Sequence, residues 1–372
     1  MAYYHNRPLD QLSIYGFKSI RSLTDFKLIN LNILIGANGA GKSNLIEFFR
    51  LLHNLIDGRL SEYIRQGGGI SNFLFNGRKT TEYMEFETRF GARGYRFRIE
   101  PGLREDVSLT NEARYYQHGQ SQWWELGDSP DGQSLLVKEA RSDRLDSKNS
   151  RPVYEAISSW QIYHFHDTSA TAGMRHYEII QDHRALRTDA SNIAPYLLHL
   201  RQEHPSAFDD IVEAIRLVIP FFDQFLLETT NLGAAQKVNL SWLQKGSDYP
   251  MQPYHFSDGS IRFICLATAL LQPEPPSTII IDEPELGLHP YAIAILAELI
   301  QTAAERTQVI ISTQSPSLID YFQPEQIIIV NREQGASVFH RLNAENLNAW
   351  LAEYTMGELW RKNVIVGGPV YE

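Results

Sequence analysis

The sequence predicts an α/β protein with a split core, and three observations carry that prediction. First, strand-like runs alternate with helix-like runs at both ends of the chain. Second, the stretch from Thr81 to about Leu136 has a different texture. "EYMEFETRF", "YRFRIEP", "ARYYQ" and "QWWEL" alternate or are aromatic, with Gly and Pro between them, as in an antiparallel sheet. Third, two amphipathic helices follow it. One is lined by Ile193, Tyr196, Leu197 and Leu200, the other by Phe208, Ile211, Val212, Ile215 and Ile219. The expected organisation is a core of residues 1–95 and 255–372, with 96–254 inserted as a β-rich arm and a helical subdomain.

Within the core, "LSIYGF" and "LNILI" read as strands. Leu45, Phe48, Phe49, Leu52 and Ile56 recur at helical spacing, and Gly67, Gly68 and Gly69 break the chain. Towards the C-terminus "TIII", "QVIIS", "IIIV" and "SVFH" read as strands, with helices at about 261–271 and 290–304. Residues 138–152, "KEARSDRLDSKNSRP", are charged and aperiodic and predict an exposed loop. The chain has 372 residues, long for one domain without an insertion. Its net charge of −10 excludes a whole-protein basic field for nucleic acid, leaving only local clusters: Arg89, Arg93, Arg96 and Arg98, then Arg141 and Arg144. The single cysteine, Cys265, lies in an apolar run and reads as a core thiol in a reducing compartment. No apolar run reaches the roughly 18–20 residues needed to span a bilayer, and no signal core opens the chain, so a cytoplasmic protein with no membrane partner is expected.

The stretch that carries chemistry is Gly36-Ala37-Asn38-Gly39-Ala40-Gly41-Lys42-Ser43, a full match to G-x-x-x-x-G-K-[ST] between a strand and a helix. Glycines let the backbone curl so that its N–H groups face phosphate oxygens, and the helix N-terminus adds partial positive charge. Asn38 to Asn44 is therefore the expected nucleotide-contacting stretch. Lys42 reaches the β- and γ-phosphates and Ser43 ligates Mg²⁺. A second metal ligand is expected at a strand end. "STIIIDEPELGLHP" supplies Asp282 for the metal and Glu283 to polarise the attacking water. A long stretch of chain separates Lys42 from Asp282.

That separation, with Glu directly after Asp, resembles the ABC-type ATPases. "HFSDGSIRF" resembles their signature motif, with Asp258 in place of a commoner glycine. "VIISTQSPSLID" resembles their switch strand, with Gln314 where histidine is usual. Glutamine can donate a hydrogen bond but cannot take up a proton. Together with "YHFHDTS" and the tail "GELWRKNVIVGG", the motifs resemble, in order, the SMC/RecF/OLD class, and more nearly its bacterial standalone AAA-family ATPases. The resemblance covers nearly the whole chain. It implies an ABC-ATPase head (a P-loop NTPase core with a mixed sheet), ATP and Mg²⁺ as cofactors, and a homodimer. In that dimer Ser257 and Gly259 grip the γ-phosphate held by the other subunit, and Gln314 senses it. It further implies an ATP-driven dimerising switch that acts on DNA or a co-encoded effector protein, in DNA repair or phage defence. A slow-turnover scaffold or sensor that sequesters a toxin or nuclease is the alternative. Too little chain follows Gln314 for the separate nuclease domain of OLD-type relatives.

Weaker signals complete the reading. Gln66 stands where a Q-loop residue could contact Mg²⁺, and Tyr15 or Phe17 could stack on adenine. Arg21 could approach phosphate. His164, His166, His176 and His183 crowd one region without a completing carboxylate or cysteine, and the His164–His166 step suits one face of a strand, so structural or interface roles are expected there. The resemblance places His289 at the subunit interface.

Overall fold

In the computed structural model, residues 7–102, 107–118, 120–143, 147–233 and 235–365 are described. The chain opens with a hairpin, β1 (Gln11–Phe17) and β2 (Ile20–Lys27), then enters β3 (Leu31–Ile35), the glycine-rich loop, α1 (Lys42–Ile56) and α2 (Leu60–Gln66). Four strands follow, β4 (Met84–Phe90), β5 (Arg93–Pro101), β6 (Val107–His118) and β7 (Gln120–Ser129), then α3 (Leu135–Ala140), α4 (Ser147–Ser159) and β8 (Gln161–Tyr163). A mainly helical region comprises β9 (Glu178–Ile179), α5 (Ile193–Glu203), α6 (Pro205–Val218), β10 (Phe222–Phe225), β11 (Thr230–Leu232), β12 (Ala235–Val238) and β13 (Trp242–Gln244). The last third is α7 (Asp258–Leu271), β14 (Thr278–Asp282), α8 (Pro290–Ala304), β15 (Gln308–Thr313), α9 (Pro316–Ile319), β16 (Ile327–Glu333), β17 (Ala336–Arg341), α10 (Asn348–Leu351) and α11 (Met356–Arg361).

Two six-stranded sheets organise these elements. One is antiparallel, β2-β1-β4-β5-β6-β7. The other is mixed, β17-β16-β3-β15-β14-β8, parallel except where β16 meets β17. The apolar runs "LNILI", "TIII" and "QVIIS" lack alternation because both faces of this second sheet are covered. Ile33, Ile279 and Ile311 face the helical layer containing α7 and α8. Leu34, Ile280 and Ile310 face the opposite layer, which includes α1 and the antiparallel strands. Helix α1 is thus sandwiched between sheets, with Phe48 stacked on Phe86 at 5.6 Å and Phe49 edge-on to Trp160 at 5.1 Å. Full burial of one such ring contributes about 1.5–3 kcal/mol.

The core and insert interlock more closely than a simple division suggests. A boundary at residue 95/96 falls inside β5, and the antiparallel sheet runs without a break from β1 to β7. Strand β8, from the middle of the chain, forms the edge of the parallel sheet beside β14. Residues 138–152 are not a loop throughout: α3 and α4 occupy much of the stretch. Among the described residues of 138–152 the buried positions are Ala140 and two serines, so no apolar period shows within that stretch. Ser147 and Ser150 are buried, and Ser150 Oγ donates to Glu139 Oε2 at 2.8 Å. Arg144 lies outside the described residues. Cys265 is fully buried in α7.

Candidate nucleotide-binding site

In the parallel sheet the C-terminal ends of β3, β15 and β14 lie side by side. Ile35 pairs with Thr313, and Ser312 with Asp282. Open α/β sheets bind ligands beyond this end of their strands. The topology therefore gathers the phosphate loop after β3, Gln314 after β15, and Asp282 and Glu283 at the end of β14.

The loop after β3 is built by close approach. A Cβ on Gly36 would stand 2.2 Å from the Val330 carbonyl oxygen. One on Gly41 would stand 1.9 Å from Ser337 Oγ, and Gly41 also has φ +112°. Ser337 Oγ donates to Ala40 O at 2.6 Å, is hydrogen-bonded to Ser19 Oγ at 2.6 Å, and Asn44 Nδ2 donates to Ser19 Oγ at 2.6 Å. This brace from β17 and the β1–β2 turn was invisible in the sequence, where nothing marks Ser19 or Ser337. Ala40 N–H donates to Ala37 O at 3.2 Å. The N–H groups of Gly39, Gly41, Lys42 and Ser43 have no acceptor within the chain among the described residues, the last two being first-turn groups of α1. Space around Gly39 is open. This row of free donors at a helix N-terminus fits a polyanionic ligand.

Lys42 is 5% exposed, and its ammonium donates to Gly36 O at 2.7 Å and Ala37 O at 3.2 Å. Burial pulls its pKa down, opposed by the carboxylates of Glu283, Asp282 and Glu285. Asp282 and Glu283 are half-buried. Glu283 adopts φ +45°, uncommon for a residue with a side chain, and its N–H donates to Ser312 O at 2.7 Å. Gln314 Nε2 donates to Glu283 Oε1 in a short contact. Glu285, not singled out in the sequence, accepts from Thr313 Oγ1 at 2.6 Å and from Gln314 N at 3.3 Å. Burial pushes its pKa up, and its Oε2 is buried without a partner. Asp282, Glu283 and Glu285 thus place three carboxylates near the one Lys42 ammonium at this edge of the sheet.

Ser257 and Gly259 lie in a separate assembly. Ser257 caps α7, its Oγ accepting from Ser260 N at 3.1 Å. Gly259 packs on the turn after Glu283, where a Cβ would come 2.5 Å from Gly287 O. Arg262 Nε donates to Phe165 O at 2.8 Å and Nη2 to His166 O at 3.1 Å, and Nη1 contacts Leu286 O. Arg175 donates to Pro253 O at 2.7 Å and pairs with Asp258 at 3.0 Å. Sequence reasoning missed both arginines, which tie distant segments. No described hydrogen bond joins Ser257–Ser260 to the phosphate loop of the same chain.

The remaining candidates fall elsewhere. Gln66 is exposed at the end of α2 and donates to Glu62 at 3.1 Å. Phe17 is fully buried, whereas Tyr15 is exposed and stacks on Tyr83 at 5.3 Å. Arg21 donates to Gln334 O at 3.1 Å. His289 caps α8. His164 and His166 follow β8 rather than lying in it, and His183 stacks on His199 at 4.6 Å. Among the described residues no group of three or more His, Cys, Asp or Glu could hold a metal, and no helix is long and apolar enough to cross a membrane.

A mixed sheet, a braced phosphate loop after β3 and paired carboxylates at the end of β14 define a P-loop fold of the ABC-ATPase type. The chain belongs to the family described as "AAA domain, putative AbiEii toxin, Type IV TA system", whose model matches residues 31–320. Its fold is that of an SMC head domain. A solved SMC head bound to the C-terminal winged-helix domain of ScpA matches with a TM-score of 0.57 at 17% identity, covering 92% of this chain and 99% of that one. An SMC head from Pyrococcus furiosus with an extended coiled coil gives 0.49 at 18% identity, covering 93% and 99%. A Thermotoga maritima SMC head gives 0.42 at 14%, covering 90% and 99%. Among curated proteins none matches the chain.

Proposed function

We propose that the protein binds and hydrolyses ATP with Mg²⁺ and works as a dimerising switch. The observation that carries this reading is the convergence of Lys42, Asp282, Glu283 and Gln314 at adjacent ends of β3, β14 and β15. Lys42, now held by two loop carbonyls, turns to the β- and γ-phosphates, and the free N–H groups from Gly39 to Ser43 cradle them. When bound, Mg²⁺ held by Ser43 and Asp282 supplies charge neutralisation of the phosphates. Glu283 takes the proton of the attacking water, once Gln314 releases its carboxylate. Ser257 and Asp258 are exposed and unconnected to their own phosphate loop, which favours a role for Ser257 and Gly259 on the nucleotide of a second copy.

A protein effector suits the switch better than DNA. Three arginines of the clustered run on the antiparallel sheet are already paired: Arg98 with Glu85 at 2.8 Å, Arg96 with Glu125 at 3.0 Å, and Arg89 with Glu87 at 2.9 Å. The toxin–antitoxin description of the family points the same way. The contact between Gln314 and Glu283 favours the second reading too, a slow-turnover sensor that holds a toxin or nuclease partner, because the proposed base is engaged at rest. Titrating ATP and Mg²⁺ into purified protein, with and without DNA, tests the proposal. Phosphate release that ceases in Glu283→Gln supports it. No affinity for ATP, or affinity unchanged in Lys42→Ala, overturns it. Strong stimulation by DNA would reverse the preference for an effector.

A further inference from the structure

Glu285 is the one carboxylate of the cluster to which the proposed reaction gives no task, yet two hydrogen bonds tie it to the end of the neighbouring strand. It stands two residues past Glu283, at the turn leaving β14, and reaches across to the end of β15. Its Oε1 receives two hydrogen bonds from consecutive residues, Thr313 through its hydroxyl at 2.6 Å and Gln314 through its backbone N–H at 3.3 Å. The Thr313 hydroxyl in turn accepts from Ser315 N at 2.9 Å, so one carboxylate organises the backbone on both sides of Gln314. The Gln314 side chain, leaving that fixed backbone, ends on Glu283 Oε1. A carboxylate with one oxygen doubly bonded and the other buried and unpartnered is an unfavourable placement for stability alone. Such a residue is expected where geometry matters more than stability.

We infer that Glu285 is a positioning residue for the ATPase reaction: through Thr313 and the Gln314 backbone it aims the Gln314 amide at Glu283, so that release of the water-activating carboxylate is a side-chain rotation rather than a movement of the loop. The inference rests on the ATPase reading above and concerns the regulation of that same site. It makes Glu285, Thr313 and Gln314 one unit, and mutations within one unit do not add.

The test uses the full chain and two measurements. In steady-state turnover, Glu285→Ala lowers kcat about tenfold while KM for ATP stays within about twofold, because positioning is lost and ground-state binding is not. Glu285→Gln keeps an acceptor oxygen and restores most of the rate. Thr313→Val reproduces Glu285→Ala, Thr313→Ser does not, and Glu285→Ala with Thr313→Val is no worse than either alone. In hydrogen exchange without nucleotide, Glu285→Ala and Thr313→Val each speed exchange over Thr313–Ile319, while Ser337→Ala, which alters the phosphate-loop brace, does not. Thermal melting shows which variants are folded; the near-isosteric Thr313→Val serves if Glu285→Ala is not. Unchanged kcat and exchange in the folded variants, additive losses, or equal loss in Glu285→Gln and Glu285→Ala overturn the inference. If the parent chain turns over no ATP, the ATPase reading fails first, and the exchange result alone decides whether Glu285 orders Gln314.

Discussion

The two sheets treat their charged side chains in opposite ways. On the antiparallel sheet Arg89, Arg96 and Arg98 each have both a carboxylate and a ring. Arg98 pairs with Glu85 and lies 3.8 Å from the Tyr83 ring centroid, and Arg89 pairs with Glu87 and lies 3.5 Å from that of Tyr115. At the C-terminal edge of the parallel sheet, three carboxylates crowd one buried lysine that bonds only to carbonyls. Glu285 keeps an orphan oxygen, and Glu283 holds a left-handed backbone. The first surface pairs these charges internally, and the second leaves its charges under-paired. Incomplete pairing and local strain mark the working edge more clearly than charge count does.

The largest effect that could break this comparison is at Glu283. Glu283→Gln lowers turnover by about 100- to 10,000-fold while ATP still binds, and size-exclusion chromatography with ATP then shows an accumulated dimer. Wild-type turnover in the variant would remove the base from the mechanism. Next, Lys42→Ala weakens ATP binding and turnover by about 100- to 1,000-fold, as read by nucleotide titration, and chelation of Mg²⁺ abolishes turnover in the parent. Gly41→Ala follows. Its Cβ collides with Ser337 and its φ is left-handed, so denaturant melts show a loss of about 1–3 kcal/mol together with weakened ATP binding. The smallest effect sharpens the contrast from the other side. Arg98→Ala costs about 1 kcal/mol or less in a denaturant melt and leaves turnover unchanged. A turnover loss there matching Lys42→Ala would erase the distinction between the sheets.

The parallel strands and α1 were legible because their sequence signals are local: apolar runs, a glycine-rich loop, and a helical period that starts at Leu45. The fold class was legible as well, through the order of motifs. Three features were not. The path of the antiparallel sheet from β1 to β4 depends on pairing across the whole phosphate-loop unit, so its strands looked like an arm separate from the core. The helices at 135–159 bury their apolar residues Leu136, Val137, Val153, Ala156 and Ile157 on either side of 138–152, and within that stretch the described buried residues are only Ala140, Ser147 and Ser150, so no hydropathy period shows there. The supports of the site, Ser19, Ser337, Arg262, Arg175 and Glu285, act through contacts between residues far apart in the chain. Glu285 alone has a local signal, being the third acidic residue in "DEPEL".

Strand β3 has one further consequence, in time rather than in space. Its two neighbours in the sheet, β15 and β16, lie far downstream of it in the chain and emerge from the ribosome long after it. Until they are made, the nascent chain carries the "LNILI" strand with both edges open, while local elements such as the β1–β2 hairpin already have their partners. Pairings this distant form slowly, and an unpaired apolar strand invites aggregation. Chains cut short before β15 should accordingly accumulate in inclusion bodies, whereas full-length protein made at low temperature should not.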